Sequence, residues 1–317
     1  MKVVVIGGSG HIGSYLIPKL VKKGFEVISV SRGSHKPYYQ DPVWNHIEQI
    51  FMDRSKDINF NEKIAKLNAD IVIDLICFDL NDMKKIVREL KKTSLKLYLF
   101  CSSIWSYGRA EILPVTPNSG KSPIDEYGKQ KYECEKFLKQ EIKDNNFPAT
   151  IIMPGQISGP GWSIINPQGN LDDTLFQKIA DGSEIYLPNF GMETLHHVHA
   201  SDVAQLFVDA IMHRNMAIGE SFHAVSAESI TLYGYAKFVY RYFDKQSKIN
   251  FLPWDQWTKL INDSDKVEKT YLHIARSGQY SIKNARELLD YTPEFSVLDT
   301  IKLSIQSYLD RGVIVIR

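Results

Sequence analysis

Paired cysteine, net charge and long apolar runs are what this sequence has least of. Its three cysteines, Cys77, Cys101 and Cys134, are odd in number and have no paired spacing. That argues against a disulfide framework and a thiolate metal site, and it reads as reduced core thiols. Net charge is +1, from 38 Lys and Arg against 37 Asp and Glu, so no global field draws the chain to nucleic acid or to an anionic membrane. No apolar run is long enough to span a bilayer, and the N-terminus enters a strand pattern directly, with no signal peptide. The expected location is therefore cytoplasmic. Low-complexity segments and internal repeats are missing too. What remains is an ordinary soluble composition, 44% hydrophobic and 24% charged, in a chain of 317 residues. That length is enough for one large domain or two unequal ones.

The first half alternates between strand and helix patterns. "KVVVIG", "EVISVS", "HIEQIF", "ADIVIDLIC", "LKLYLFCSS" and "ATIIMPG" read as strands. "HIGSYLIPKLVKKG", "NEKIAKLN", "NDMKKIVRELKK" and "YGKQKYECEKFLKQEIK" read as helices. This order predicts an α/β fold, a doubly wound parallel sheet of Rossmann type. After about residue 155 the texture changes to a loop, short strands such as "EIYLP" and "ETLHHVH", and helices over "DDTLFQKIADG", "SDVAQLFVDAIMH", "TLYGYAKFVYRYF" and "SVLDTIKLSIQSYL". The expected organisation is a dinucleotide-binding domain over 1–155, returning near 190–215. A smaller α+β substrate domain, mainly over 156–317, would wall a cleft at the carboxyl ends of the strands.

"VVVIGGSGHIG" sets Gly7, Gly10 and Gly13 between a strand and a helix. Gly7 permits the tight turn, Gly10 lets backbone approach a pyrophosphate, and Gly13 lets helix and strand pack closely, with the phosphate at the helix N-terminus. His11 and Ile12 are assigned to the cofactor site with this loop. A ribose-binding carboxylate is expected about twenty residues on, but the second strand ends in Ser31-Arg32-Gly33. Arg32 is suited to pair with a 2′-phosphate and Ser31 to donate to it, with Lys36 near, which favours NADP over NAD. Asp53, after the third strand, is placed to accept from an adenine amine.

A Tyr-x-x-x-Lys pair on a helix can move protons on and off an alcohol or carbonyl, and the spacing occurs at Tyr15/Lys19, Tyr127/Lys131, Tyr132/Lys136 and Tyr233/Lys237. Helical phase separates the middle two. Lys131, Cys134, Leu138 and Ile142 fall within about 60° of Tyr127, whereas Tyr132 falls about 140° away beside lysines. Tyr127 is thus expected on the buried stripe and Tyr132 in water. Pro18 interrupts the first pair, and Tyr233 lies away from the cofactor sheet. "LFCSS" ends a buried strand with Ser102 and Ser103 at its carboxyl end. Ser103 is expected to hydrogen-bond the substrate oxygen, and Ser102 is assigned to the cofactor side. A phenol ionises near pH 10, and an adjacent ammonium and a positive nicotinamide ring stabilise its anion.

The motifs "GGSGHIG", "SSIWSYG", "YGKQK", "PGQISGPG" and "HHVHASDVA" occur in this order, and together they resemble the NAD-dependent epimerase/dehydratase family of extended short-chain dehydrogenase/reductases. The resemblance implies a Rossmann domain, a bound nicotinamide cofactor, and a Ser103–Tyr127–Lys131 catalytic set. It often implies a nucleotide-sugar substrate. It adds Pro154 and Gln156 beside nicotinamide and substrate, and a homodimer through helices near 81–92 and 127–143. The chain departs from the pattern in places. Ser103-Ile104-Trp105 carries no carboxylate to eliminate water, and this argues against dehydration. Met153 stands where an arginine is usual before "PG", and Leu195-His196 where Arg-Asp is usual before the "HV" strand, positions that usually contact the nucleotide sugar. Arg276 is available to take over a diphosphate, and Trp105, Trp162 and Asn166 are expected to shape the pocket. His196, His197 and His199 lack a completing carboxylate or thiol, so no metal is expected. The first reading is a nucleotide-sugar epimerase working through a transient ketone. The second is an NADPH-dependent carbonyl reductase on a smaller substrate. The third is a non-catalytic Rossmann protein binding RNA or a partner.

Overall fold

Runs rich in Val, Ile and Leu form the inner strands of one parallel sheet, seen in a computed structural model that describes residues 1–316. The strands are β1 (Lys2–Ile6), β2 (Glu26–Ser31), β3 (Glu48–Phe51), β4 (Ile71–Asp74), β5 (Leu97–Cys101), β6 (Ala149–Pro154) and, further along, β11 (Ser221–Ala224). They lie in the order β11-β6-β5-β4-β1-β2-β3, with every neighbouring pair parallel. The chain leaves β1 in one direction and resumes at β4 on its other side. A crevice opens where the order reverses, above the carboxyl ends of β1 and β4.

Both faces are covered. On one, α1 (His11–Lys22) packs against α6 (Ala200–Met212) through Leu16, Ile17, Leu20, Val203, Phe207 and their neighbours. On the other, α2 (Phe60–Lys66), α3 (Leu80–Leu90) and α4 (Glu126–Asn145) bury Ile64, Met83, Ile86, Cys134 and Leu138. A third core lies in the second half. There, α5 (Thr174–Ala180), α8 (Leu232–Tyr242) and α12 (Val297–Asp310) enclose β8 (Ile185–Pro188), which pairs with β13 (Ile249–Leu252).

"ETLHHVH" does not form one strand. It splits into β9 (Thr194–Leu195), antiparallel to β12 (Ile230–Thr231), and β10 (His197–His199), parallel to β7 (Gln156–Ser158). The break falls at His196, whose N–H donates to the Gln156 side chain at 2.6 Å. The three rings then diverge, His196 against Tyr280, His197 against Tyr235 and His199 against Phe295. The return to the first sheet also runs further than residue 215, because β11 adds its seventh strand. Four short helices complete the chain: α7 (Arg214–Ala217), α9 (Trp254–Ile261), α10 (Ser264–Ile274) and α11 (Lys283–Leu289). Among the described residues no helix is long and apolar enough to cross a membrane.

Candidate active site

The turn after β1 is built where only glycine fits. Gly7 has φ +87°, and a Cβ on it would lie 2.7 Å from Ile76. A Cβ on Gly13 would lie 2.2 Å from the Gly8 carbonyl oxygen, so the first turn of α1 rests directly on backbone. Gly8 is equally confined, with Ser29 Oγ at 2.3 Å from its notional Cβ, and the spacing rule that singles out Gly7, Gly10 and Gly13 misses it. The α1 N-terminus has no side-chain cap, and this leaves its N–H groups for a ligand.

Three adjoining cavities run along the crevice. The first, about 380 Å³, holds Gly7, Gly10, Ser31, Arg32 and Asp53. Arg32 is exposed beside it, and Lys36 is not in its wall. Asp53 also caps its own turn, accepting from Ser55 N–H at 3.0 Å and Ser55 Oγ at 2.7 Å, and these bonds hold its carboxyl below the usual range. Arg54, unmarked by any motif, lines the same cavity while locked to buried Asp74 at 2.5 and 3.0 Å.

The middle cavity gathers Gly10, His11, Ile12, Gly13, Ser102, Ser103, Tyr127, Lys131 and Pro154. Lys131 is 1% exposed and donates to the carbonyls of Cys77 and Cys101, at 2.7 Å each. Its ammonium lies 5.7 Å from the centre of the Tyr127 ring. Ser103 Oγ accepts from Trp105 N–H at 3.2 Å, which orients the hydroxyl at the end of β5. Ser102 Oγ donates to Glu135, itself buried and ion-paired with Lys121. Glu135 was legible in principle, since a carboxylate about 40° from Lys131 on the apolar stripe needs a buried partner.

Tyr127 corrects one expectation. It shares a helical face with Lys131, Cys134 and Leu138, yet it is 39% exposed, while Tyr132 is half-buried under Lys136. The stripe leaves the core at the first turn of α4 and there lines the open crevice, so helical phase gave the facing but not the burial.

The third cavity, about 490 Å³, is shared between Ser103, Tyr127, Trp105, Gln156 and Trp162, with Tyr38 and His273 unanticipated. Trp162 stacks on His11 at 5.0 Å, and burial aided by nearby His199 depresses the His11 imidazole to about 3. Burial likewise holds His273 at about 4, so both are neutral at pH 7. Two expected pocket residues lie elsewhere. Asn166 is fully buried and spends its side chain on the loop, donating to Asn170 Oδ1 and Asp172 O and accepting from Gln168 N–H. Arg276 is 1% exposed, bonded to Asp125 and Leu272 O, with its guanidinium 3.9 Å from the Trp105 ring. Its charge is used within the protein, so it does not face a diphosphate. Asp125 accepts from Gly128 N–H as the N-cap of α4, so Arg276 braces the helix that carries Tyr127.

Among solved structures, the UDP-glucuronic acid 4-epimerase of Bacillus cereus, in complex with NAD, aligns with TM-score 0.75 at 17% identity, over 98% of this chain and 99% of that one. The UDP-glucose 4-epimerase of Thermotoga maritima, with UDP-glucose, aligns with TM-score 0.76 at 18% identity, over 98% and 100%. Identity this low speaks for the fold. By sequence, a chloroplast stem-loop binding protein of 41 kDa from Arabidopsis thaliana is 26% identical over 98% of this chain and 80% of its own length. The family described as "NAD dependent epimerase/dehydratase family" matches residues 3–224. With that match, the chain belongs to the NAD-dependent epimerase/dehydratase family, nicotinamide-dependent enzymes of the extended short-chain dehydrogenase/reductase type.

Proposed function

We propose that this chain epimerises a sugar carbinol through a transient ketone, with Tyr127 as acid/base, and that a nucleotide sugar is the first substrate to assay. The observation that carries the reading is that Ser103 and Tyr127 line the cofactor cavity and the substrate cavity at once. The loop from Gly7 to Gly13, with Ser31, Arg32, Asp53, Ser102, Lys131 and Pro154, would hold the dinucleotide. A nicotinamide held there would supply the hydride acceptor for the carbinol carbon, and inversion would follow from the ketone turning over so that the hydride returns to its other face. Tyr127 takes the hydroxyl proton as the ketone forms and restores it afterwards, Lys131 favours the phenolate, and Ser103 holds the oxygen. Such an enzyme interconverts isomers with no net consumption of cofactor.

The likeness to two solved UDP-sugar 4-epimerases, one of them holding NAD, supports this reading. A second reading, an NADPH-dependent carbonyl reductase, gains from Arg32 at the adenosine end and from the withdrawal of Arg276. Net oxidation of NADPH by a ketone would select it. The relative named for stem-loop binding keeps a third, non-catalytic reading in play. Biological function in the cell that survives Tyr127→Phe intact would select that one. The proposal includes the two-part division at about residue 155 and a reducing cytoplasmic setting for the three buried thiols. It also includes a homodimer through α3 and α4. The exposed positions of these helices include Lys84, Lys85, Arg88, Lys129 and Lys136, so that pairing would be polar and salt-sensitive in sedimentation. The direct test combines mass spectrometry of the co-purifying dinucleotide with thermal shifts by NAD, NADP and nucleotide sugars. A chain that neither carries nor binds a dinucleotide would refute the proposal.

A further inference from the structure

The loop that follows β2 reaches both ends of the crevice. His35 lines the adenosine cavity, and Tyr38, three residues on, lines the substrate cavity. Three residues span at most about 10 Å, so the loop crosses the crevice beside the glycine turn. There the Tyr38 ring meets two others. It lies edge-on to His11 at 5.5 Å and to Trp162 at 5.2 Å, while Trp162 stacks on His11. A Cβ on Gly161 would lie 3.2 Å from the Tyr38 ring, so the loop after β2 and the loop after β7 touch. His11, in the first turn of α1, forms the floor between them.

The two loops are held differently. The loop of Trp162 is tied to α12, where Gly161 N–H donates to Ser307 Oγ at 2.9 Å and Ile164 N–H to the Tyr308 hydroxyl at 3.0 Å. Between Arg32 and Gln40, the hydrogen bonds among the described residues join the loop to itself or to Ser31 beside it. What fastens this loop to the body is ring contact, Tyr38 on His11 and Trp162, and Tyr39 on Tyr15 at 4.8 Å. A segment with so few ties opens more readily than the elements it touches. Beneath the rings, neither nitrogen of the buried His11 imidazole has a hydrogen-bond partner among the described residues, and the nearby Pro160 carbonyl completes no bond to it. That imidazole stands in the wall of the middle cavity, where a ligand oxygen can meet it.

We infer that Tyr38 and Trp162 close over a bound dinucleotide as a clasp, Tyr38 the moving jaw and Trp162 the fixed one, and that their parting sets the rate at which the dinucleotide enters and leaves. The inference rests on the dinucleotide site proposed above and adds the residues that retain its occupant. Both rings also wall the substrate cavity, so a ligand seated there packs against the jaws that must part. Retention serves the chemistry, because a reduced dinucleotide that left early would strand the ketone without its hydride.

The test mixes the full chain, freed of dinucleotide, with NADH or NADPH in a stopped-flow instrument and follows nicotinamide fluorescence. In the wild-type chain the association rate should rise with ligand concentration and then level off at the rate of opening. Tyr38→Ala and Trp162→Ala should each raise that ceiling, and the rate of displacement by excess NAD or NADP, at least fivefold. The double variant should gain no more than about twofold over the faster single one, since either change breaks the same contact. Tyr38→Phe keeps the ring and should restore slow exchange. A wild-type rate that climbs without a ceiling, a gain below fivefold in either alanine variant, or a double variant whose gain is the product of the two overturns the clasp. Should a variant fail to fold, the concentration dependence of the wild-type chain decides. A chain that binds neither dinucleotide refutes the proposed function and this inference with it, whereas fast binding without a ceiling refutes the clasp alone.

Discussion

Tyr127 and Tyr132 stand on one helix, each followed by a lysine four residues on, and the two pairs should respond very differently to loss of the phenol. Tyr127→Phe removes the hydroxyl of a residue that lines both cavities with Ser103, and turnover should fall by roughly 10²–10⁴-fold with dinucleotide binding kept. Tyr132→Phe should change turnover by less than about twofold, since no reacting group is near it. Steady-state rates of the two variants check this, and equal losses would refute the assignment. Lys131 carries a second expectation. Lys131→Met leaves the carbonyls of Cys77 and Cys101 without their donor. Each orphaned group costs about 1–3 kcal/mol, so urea unfolding should show a loss of about 2–6 kcal/mol in addition to the lost activity. The Tyr127–Lys131 face was readable because helical phase is a local property. The fate of Arg276 was not, because it depends on Asp125, which lies 151 positions away in sequence.

At the scale of elements, the strand–glycine–helix unit at the N-terminus is the part most fully written in sequence. Gly13→Ala would drive a Cβ to 2.2 Å from the Gly8 carbonyl oxygen, and backbone cannot swing aside as a long side chain can. The first turn of α1 should shift, with a loss of about 1–3 kcal/mol and of dinucleotide binding. Gly24, at the far end of the same helix, has φ +81° and no atom within 4 Å of a notional Cβ. Gly24→Ala should cost only backbone strain, about 1 kcal/mol, and keep binding intact. Isothermal titration with NAD and NADP compares the two, and intact binding in the Gly13 variant would show that α1 has room to move. Elements with weak local signals escaped the sequence reading. β11 is four residues long and becomes a strand because β6 offers it an edge. "ETLHHVH" has a strand's composition, but a side-chain acceptor at Gln156 divides it between two small sheets.

At the scale of the whole molecule, burial of neutral histidine ties stability to pH. Burial is the leading cause that depresses six imidazoles, His11, His197 and His223 to about 3, and His196, His199 and His273 to about 4. In the unfolded chain each titrates near 6.5. Below that pH the unfolded state takes up protons that the folded state refuses. The stability each group contributes is therefore whole above about 6.5 and is lost as pH falls toward 4, by about 1.4 kcal/mol per pH unit. Six such groups approach about 8 kcal/mol per pH unit, against a typical total stability of about 5–15 kcal/mol. Asp202 acts in the opposite sense. Burial raises its carboxyl from 3.8 to about 6, so its contribution is present below 3.8 and is lost as pH rises through 6. Burial also raises the carboxyls of Asp82 and Asp209, so these groups act in the same sense and offset part of the histidine contribution. The urea midpoint should be level between about pH 7 and 8 and fall as pH drops from about 6.5 toward 5. These histidines lie in both halves of the chain. His11 stacks on Trp162 beside the glycine loop, and His273 meets Trp105 edge-on in the substrate wall. Tryptophan fluorescence and far-UV circular dichroism should therefore report one coincident acid transition. A midpoint unchanged from pH 7 to 5 would refute the buried-histidine account, and two separated transitions would show that the halves unfold independently.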